Sequence, residues 1–176
     1  AYRQGKRFVD QDLNRSFPGN SEGNYEETLA YQLVPLLKRM DLVIDLHSTI
    51  AKSDPFFILT KRNEELVSEL SGRGIKKLCL MSSKVANSKS LIDYCYGFSI
   101  EMNAGQEKDV ANAIINLISG ISDGSLLEIY YVSKVYYGSD KFENFKEINY
   151  EGETFFPIFV GEKDYDFNCL LTKKVN

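Results

Sequence analysis

Asp41-Leu42-Val43-Ile44-Asp45-Leu46-His47-Ser48-Thr49 is a short apolar run that breaks off into polar residues. Its length and aliphatic content predict a buried strand over 41–47, with His47 at its C-terminal end. Just before it, YEETLAYQLVPLLKRM (25–40) places Leu29, Leu33, Leu36, Leu37 and Met40 at helical spacing. That spacing predicts an amphipathic helix with those residues as its buried face. Glu26 and Glu27 suit its start, and Lys38 and Arg39 its end. Pro35 inside the pattern predicts a kink or a boundary. Residues 1–24 read as irregular, with turn residues at Gly5, Pro18, Gly19, Asn20 and Gly23.

On the C-terminal side the same alternation continues. Short strands are predicted at Phe56–Leu59, Lys77–Met81 and Gly97–Met102, and helices at 62–71 and 107–119. The second helix is expected to bury Val110, Ile114, Leu117 and Ile118. Residues 83–95 have no clear period. Beyond Gly124 the texture changes: 126–136 and 154–160 are rich in Tyr, Phe, Val and Ile, punctuated by Gly138, Gly152 and Gly161. Strand–helix alternation followed by a β-rich stretch predicts an α/β core over 1–124 and a small β-rich domain over 125–176.

Composition bounds the function classes. The 176 residues are 43% hydrophobic and 26% charged, an ordinary globular balance. A formal net charge of -4 argues against a nucleic-acid partner, which favours a basic face. No apolar run is long enough to span a bilayer, so no membrane partner is expected. No charged-then-apolar leader points to secretion. Cys79, Cys95 and Cys169 are far apart and form no CxxC pair. They fit reduced thiols of a cytoplasmic protein better than a disulfide framework or a cysteine zinc site.

Three places can carry chemistry. The loop Arg7…Asp12-Leu13-Asn14-Arg15-Ser16-Phe17-Pro18-Gly19 gathers two guanidinium forks and an amide, donors that match a carboxylate. Its other reading is a solvated loop whose charges pair with each other. His47, the chain's only histidine, ends a strand, where ligands and catalytic groups of α/β proteins gather. Its other reading is a structural histidine. Ser48 and Thr49 beside it lack a GxSxG elbow and a second histidine, which weakens a serine-hydrolase reading. Glu101 ends an apolar strand, and partial loss of hydration there suits a general base. Its other reading is a strand-end carboxylate paired with a cation.

Taken together, these pieces resemble a known family. Gly5-Lys6-Arg7-Phe8-Val9-Asp10-Gln11-Asp12-Leu13-Asn14-Arg15-Ser16-Phe17-Pro18-Gly19 resembles the R…DLNRxFPG motif of the succinylglutamate desuccinylase/aspartoacylase family. Asp45-Leu46-His47-Ser48-Thr49 resembles its D-L-H-S/T motif, and Ile100-Glu101 the segment that bears its catalytic Glu. That Glu is usually followed by one residue and a Gly, whereas here Met102-Asn103-Ala104-Gly105 follows. The match spans roughly residues 1–120, and the Phe156–Glu162 stretch fits the family's C-terminal β domain more loosely.

The resemblance implies a zinc carboxypeptidase-like core, a mixed sheet with flanking helices whose first strands are missing from this sequence. It implies zinc-dependent cleavage of the amide bond of an N-acyl amino acid or similar small carboxylate-bearing substrate. His47 would be a zinc ligand and Glu101 the general base. Arg7 would polarise the scissile carbonyl, Asn14 and Arg15 would hold the substrate carboxylate, and Asp12 would orient a zinc-binding histidine.

The family's first two zinc ligands come from an upstream HxxE motif. This sequence opens at Ala1, without an initiator Met, shortly before Arg7. The expectation is therefore an N-terminally truncated chain with an incomplete zinc site, inactive as it stands. Its uncovered sheet edge is expected to promote a homodimer. The rival readings are a non-catalytic carboxylate-binding relative and a peptidase of the carboxypeptidase type.

Overall fold

A computed structural model describes residues 6, 8–163 and 165–175. The chain falls into two compact units, Ala1–Asp45 with Ser82–Phe98, and Leu46–Met81 with Ser99–Asn176.

In the first unit a 3-10 turn, Leu13–Arg15, precedes helix α1, Tyr25–Leu37. Asn24 and Glu27 form a reciprocal capping box at the start of α1, satisfying donors that the first turn leaves open. The helix stops at Leu37, short of the expected Met40, with Pro35 inside its last turns. Its buried stripe is also rotated from expectation. Glu26, Ala30 and Val34 are buried, Leu33 and Leu37 are partly covered, and Leu36 and Met40 are about half exposed.

The reason for the rotation is the loop that α1 packs against. Gly19 has φ +92, and a Cβ there would lie 2.0 Å from Tyr31 N, so this turn runs against the helix backbone and only glycine fits. Phe17, 1% exposed, packs with Ala30 and Val34 and stacks on Tyr94. The ambiguous stretch 83–95 holds two 3-10 turns, Ser83–Ala86 and Leu91–Asp93.

The second unit is built on a sheet. Its strands are β1 (Val43–Ser48), β2 (Phe56–Leu59), β3 (Lys77–Leu80), β4 (Gly97–Met102), β5 (Glu128–Tyr136), β6 (Ile148–Tyr150), β7 (Glu153–Ile158) and β8 (Cys169–Val175). Of these, β1 and β4 begin in the first unit. The order is β1-β4-β2-β3-β5-β8-β7-β6. The sheet is mixed: β2–β3 and β3–β5 are parallel, while β4–β2, β5–β8, β8–β7 and β7–β6 are antiparallel. All of β2 is buried, as the uninterrupted run Phe56-Phe57-Ile58-Leu59 requires of a strand covered on both faces.

Helices α2 (Glu64–Leu70) and α3 (Glu107–Ile118) complete the unit. In α2, Leu66 and Leu70 are buried, and the Asn63 side chain caps its start. In α3, Val110 and Ala113 are buried, while Ile118, expected on the inner face, is 76% exposed at the helix end. Residues 125–176 supply β5–β8, and the parallel pairing of β5 with β3 joins them to the core sheet. The periodicity missed β6 and β8.

The join between β1 and β4 positions the site. Val43 N donates to Tyr96 O and Thr49 N to Met102 O, both at 2.9 Å. The two bonds advance by the same interval along each strand, so the strands run parallel, with Val43 beside Gly97 and His47 beside Glu101. A Cβ on Gly97 would lie 2.1 Å from Val43 O, which accounts for glycine at this crossing.

Candidate functional site

His47 is half-buried on β1 and Glu101 is 8% exposed on β4. As register neighbours on adjacent strands their side chains leave the same face of the sheet, with strands about 4.8 Å apart. On the other side of Glu101, Phe56 is its antiparallel partner. Phe56 is 2% exposed and meets the rings of Phe145 and Phe159 edge-on at 5.1 and 5.6 Å. Phe145 and Phe159 both hold positive φ, 58 and 57, a conformation costly for an aromatic residue, so packing around Phe56 must enforce it. The carboxylate thus stands between an imidazole and a dry aromatic wall.

The motif loop belongs to the first unit. Asp12 Oδ1 accepts from Asn14 N at 2.9 Å and so caps the 3-10 turn. The Asn14 side-chain oxygen accepts from Leu91 N at 2.8 Å, which fixes the orientation of its amide. Arg15 Nη1 donates to Asn14 O at 2.8 Å. Arg7 lies outside the described residues. Of the six residues picked from the sequence, the structure sets His47 beside Glu101 in one unit and gathers Asp12, Asn14 and Arg15 in the other.

Other residues escaped the sequence reading. Glu26, expected only as a charge at the helix start, is 3% exposed, and its carboxylate accepts from Val9 N at 2.6 Å, Asp10 N at 3.0 Å and Gln11 N at 3.3 Å. Burial pushes its pKa up, but these backbone donors outweigh it and hold the pKa below the ordinary carboxylate value. It organises the backbone of the motif loop. A buried acid one residue inside a helix leaves no mark on hydrophobic periodicity. Asn103, Gln106 and Glu162 were missed too. Their side chains hold the loop after His47, and the sole sequence sign was that Asn103 stands where the family motif usually has glycine.

Cysteine chemistry is disfavoured. Burial, then the charges of Asp45 and Asp93, push the Cys95 thiol up to about 11. Burial pushes Cys169 up to about 12 and Cys79 higher still. None forms a thiolate nucleophile at neutral pH. Among the described residues no three His, Cys, Asp or Glu side chains come together as a metal-holding group. His47 is the chain's only histidine, whereas a hydrolytic zinc site takes about three protein ligands. No helix among them is long and apolar enough to cross a membrane.

Comparison with known proteins bears on this geometry. Residues 1–104 match the model of the succinylglutamate desuccinylase/aspartoacylase catalytic domain. The chain is 33% identical over 106 residues to a probable aspartoacylase of Nostoc sp., covering 54% of this chain and 32% of that protein. It is 29% identical over 143 residues to a probable aspartoacylase of Prochlorococcus marinus subsp. pastoris, covering 78% and 41%. It thus spans 32% and 41% of the length of these two relatives.

Among solved structures, murine aminoacylase 3 superposes with a TM-score of 0.73 at 17% identity, covering 98% of this chain and 80% of that one. Succinylglutamate desuccinylase from Vibrio parahaemolyticus gives 0.72 at 18% identity, covering 99% and 68%. These likenesses bear out the expected mixed α/β sheet with flanking helices. With the family model matched over more than half of its length, and the DLNR and DLHS motifs inside that match, the chain belongs to the succinylglutamate desuccinylase/aspartoacylase family.

Proposed function

We propose that this chain carries part of the active site of a zinc-dependent hydrolase that cleaves the amide bond of an N-acyl amino acid or a similar small carboxylate-bearing substrate. The observation that carries the reading is the register of His47 beside the buried Glu101, at the ends of two adjacent strands. His47 would give one nitrogen to the metal. Zinc, when bound, supplies Lewis acidity and a lowered pKa for the attacking water. Glu101 takes a proton from that water and returns it to the leaving amine. The motif alone assigns the remaining roles. Arg7 stabilises the oxyanion, Asn14 and Arg15 hold the substrate carboxylate, and Asp12 orients another ligand.

The rest of the ligand set is assigned to an HxxE motif outside this sequence, which leaves the 176 residues inactive by themselves. The division into a 1–124 core and a 125–176 β-rich domain is retained as part of this proposal. So is a homodimer through β1, which lies at one end of the described strand order. A reducing, cytoplasmic setting is supported by three free cysteines. The test is release of free amine from a panel of N-acyl amino acids by a protein bearing the whole ligand set. Hydrolysis that requires a substrate carboxylate supports the reading. Cleavage of peptides alone would replace it with a peptidase.

A further inference from the structure

Residues Thr49–Ser53, which follow His47, belong to no helix or strand, so their backbone polar groups must find partners elsewhere. One side chain serves three of those groups. Asn103 Nδ2 donates to Thr49 O at 2.7 Å and to Ala51 O at 3.2 Å, and its Oδ1 accepts from Ser53 N at 2.9 Å. Gln106 braces it from behind. Its Oε1 accepts from Asn103 N at 2.7 Å, and its Nε2 donates to Ser53 O at 2.9 Å. The C-terminal segment closes the loop from another side. Glu162 Oε2 accepts from Thr49 Oγ1 at 2.6 Å and from Ile50 N at 3.2 Å, and Asn144 Nδ2 donates to Lys52 O at 2.9 Å. Thr49 is 7% exposed, so the bonds at its hydroxyl and carbonyl are partly shielded from competing water, while those at Ile50 N and Lys52 O are exposed.

We propose that Asn103 is a positioning residue: it fastens the loop leaving His47 to the end of the strand bearing Glu101 and thereby sets the imidazole relative to the carboxylate, with Glu162 closing the same loop. The catalytic meaning of this spacing rests on the function proposed above. The chemistry needs a carboxamide. An aspartate would keep the acceptor for Ser53 N but turn both donations into repulsions against carbonyl oxygens, and an alanine would remove all three bonds.

The test uses the full 176-residue chain. Because His47 is its only histidine, the imidazole gives a single set of ring resonances in a nitrogen-15 spectrum at fixed pH. In Asn103→Asp and Asn103→Ala, the ring resonances are expected to move by more than their linewidth, and the Ser53 amide to exchange roughly tenfold faster. Glu162→Gln, which keeps one acceptor, is expected to move the ring less than Glu162→Ala. Asn63→Ala removes the α2 cap, made by Leu66 N to Asn63 Oδ1 at 3.1 Å, and serves as the control. It lowers Tm without moving the His47 signal.

Faster exchange at Ser53 with an unmoved ring in both Asn103 variants would overturn the positioning role. An unchanged Ser53 amide would overturn the clamp itself. Neither readout needs substrate or metal, so a failed hydrolase assay leaves this inference standing, and its own failure leaves the proposed reaction untouched.

Discussion

The Asn103 side-chain amide donates to the Thr49 carbonyl at 2.7 Å, and so ties the second residue after Glu101 to the second residue after His47. The two motif segments are thus joined twice, by the strand register and by a side chain just beyond it. Geometry at this end of the sheet is fixed by hydrogen bonds to backbone rather than left to two independent loops.

Glu101→Gln tests the proton-transfer role. The amide is close to isosteric, so fold and metal content should persist while turnover falls about 10²–10⁴-fold in the metal-complete protein. Amine release under saturating substrate is the measurement. Near-full turnover with zinc bound would make Glu101 a structural residue.

Arg15→Ala should weaken productive binding of carboxylate substrates. Loss of a charged hydrogen-bond partner costs about 1.5–3 kcal/mol, roughly ten- to hundredfold in kcat/KM. An unchanged kcat/KM would remove Arg15 from the substrate site.

Glu26 makes a pH-dependent contribution whose sign follows from its shift. Its folded pKa lies below the ordinary 4.5, so its charge stabilises the fold above that value, and the gain disappears as pH falls through the folded pKa. Glu26→Gln should therefore lower Tm at neutral pH, with a gap from wild type that narrows on acidification below about 4.5. Melts of both proteins across this range provide the check. A gap independent of pH would mean that shape, not charge, holds the Val9–Gln11 backbone.

β1 stands at one end of the described strand order, and a strand in that position can pair with another chain. Light scattering of the 176-residue chain should report a dimer. A clean monomer at high concentration would count against association through this edge.

Much of the fold was legible because it rests on local pattern. The run 41–47 marked β1, Phe56–Leu59 and Gly97–Met102 marked β2 and β4, and the motif residues announced the family. What stayed hidden depends on tertiary partners. The α1 stripe turned toward Glu26, Ala30 and Val34 because a glycine-tight loop, not a broad apolar surface, lies against it. Strand β6 has three residues, too few for any period to show. Asn103 and Glu162 serve backbone groups fifty or more residues away, and no spacing rule encodes such a bond.

The most direct test of the central claim compares two proteins, the 176-residue chain and a version extended upstream by a segment carrying HxxE. Each is assayed for zinc by plasma emission and for amine release from N-acyl amino acids. The account predicts essentially no stoichiometric zinc and no release for the short form, and one zinc per chain with hydrolysis for the extended one. One zinc per short chain that resists a mild chelator would contradict it, because other residues would then have to complete the site around His47.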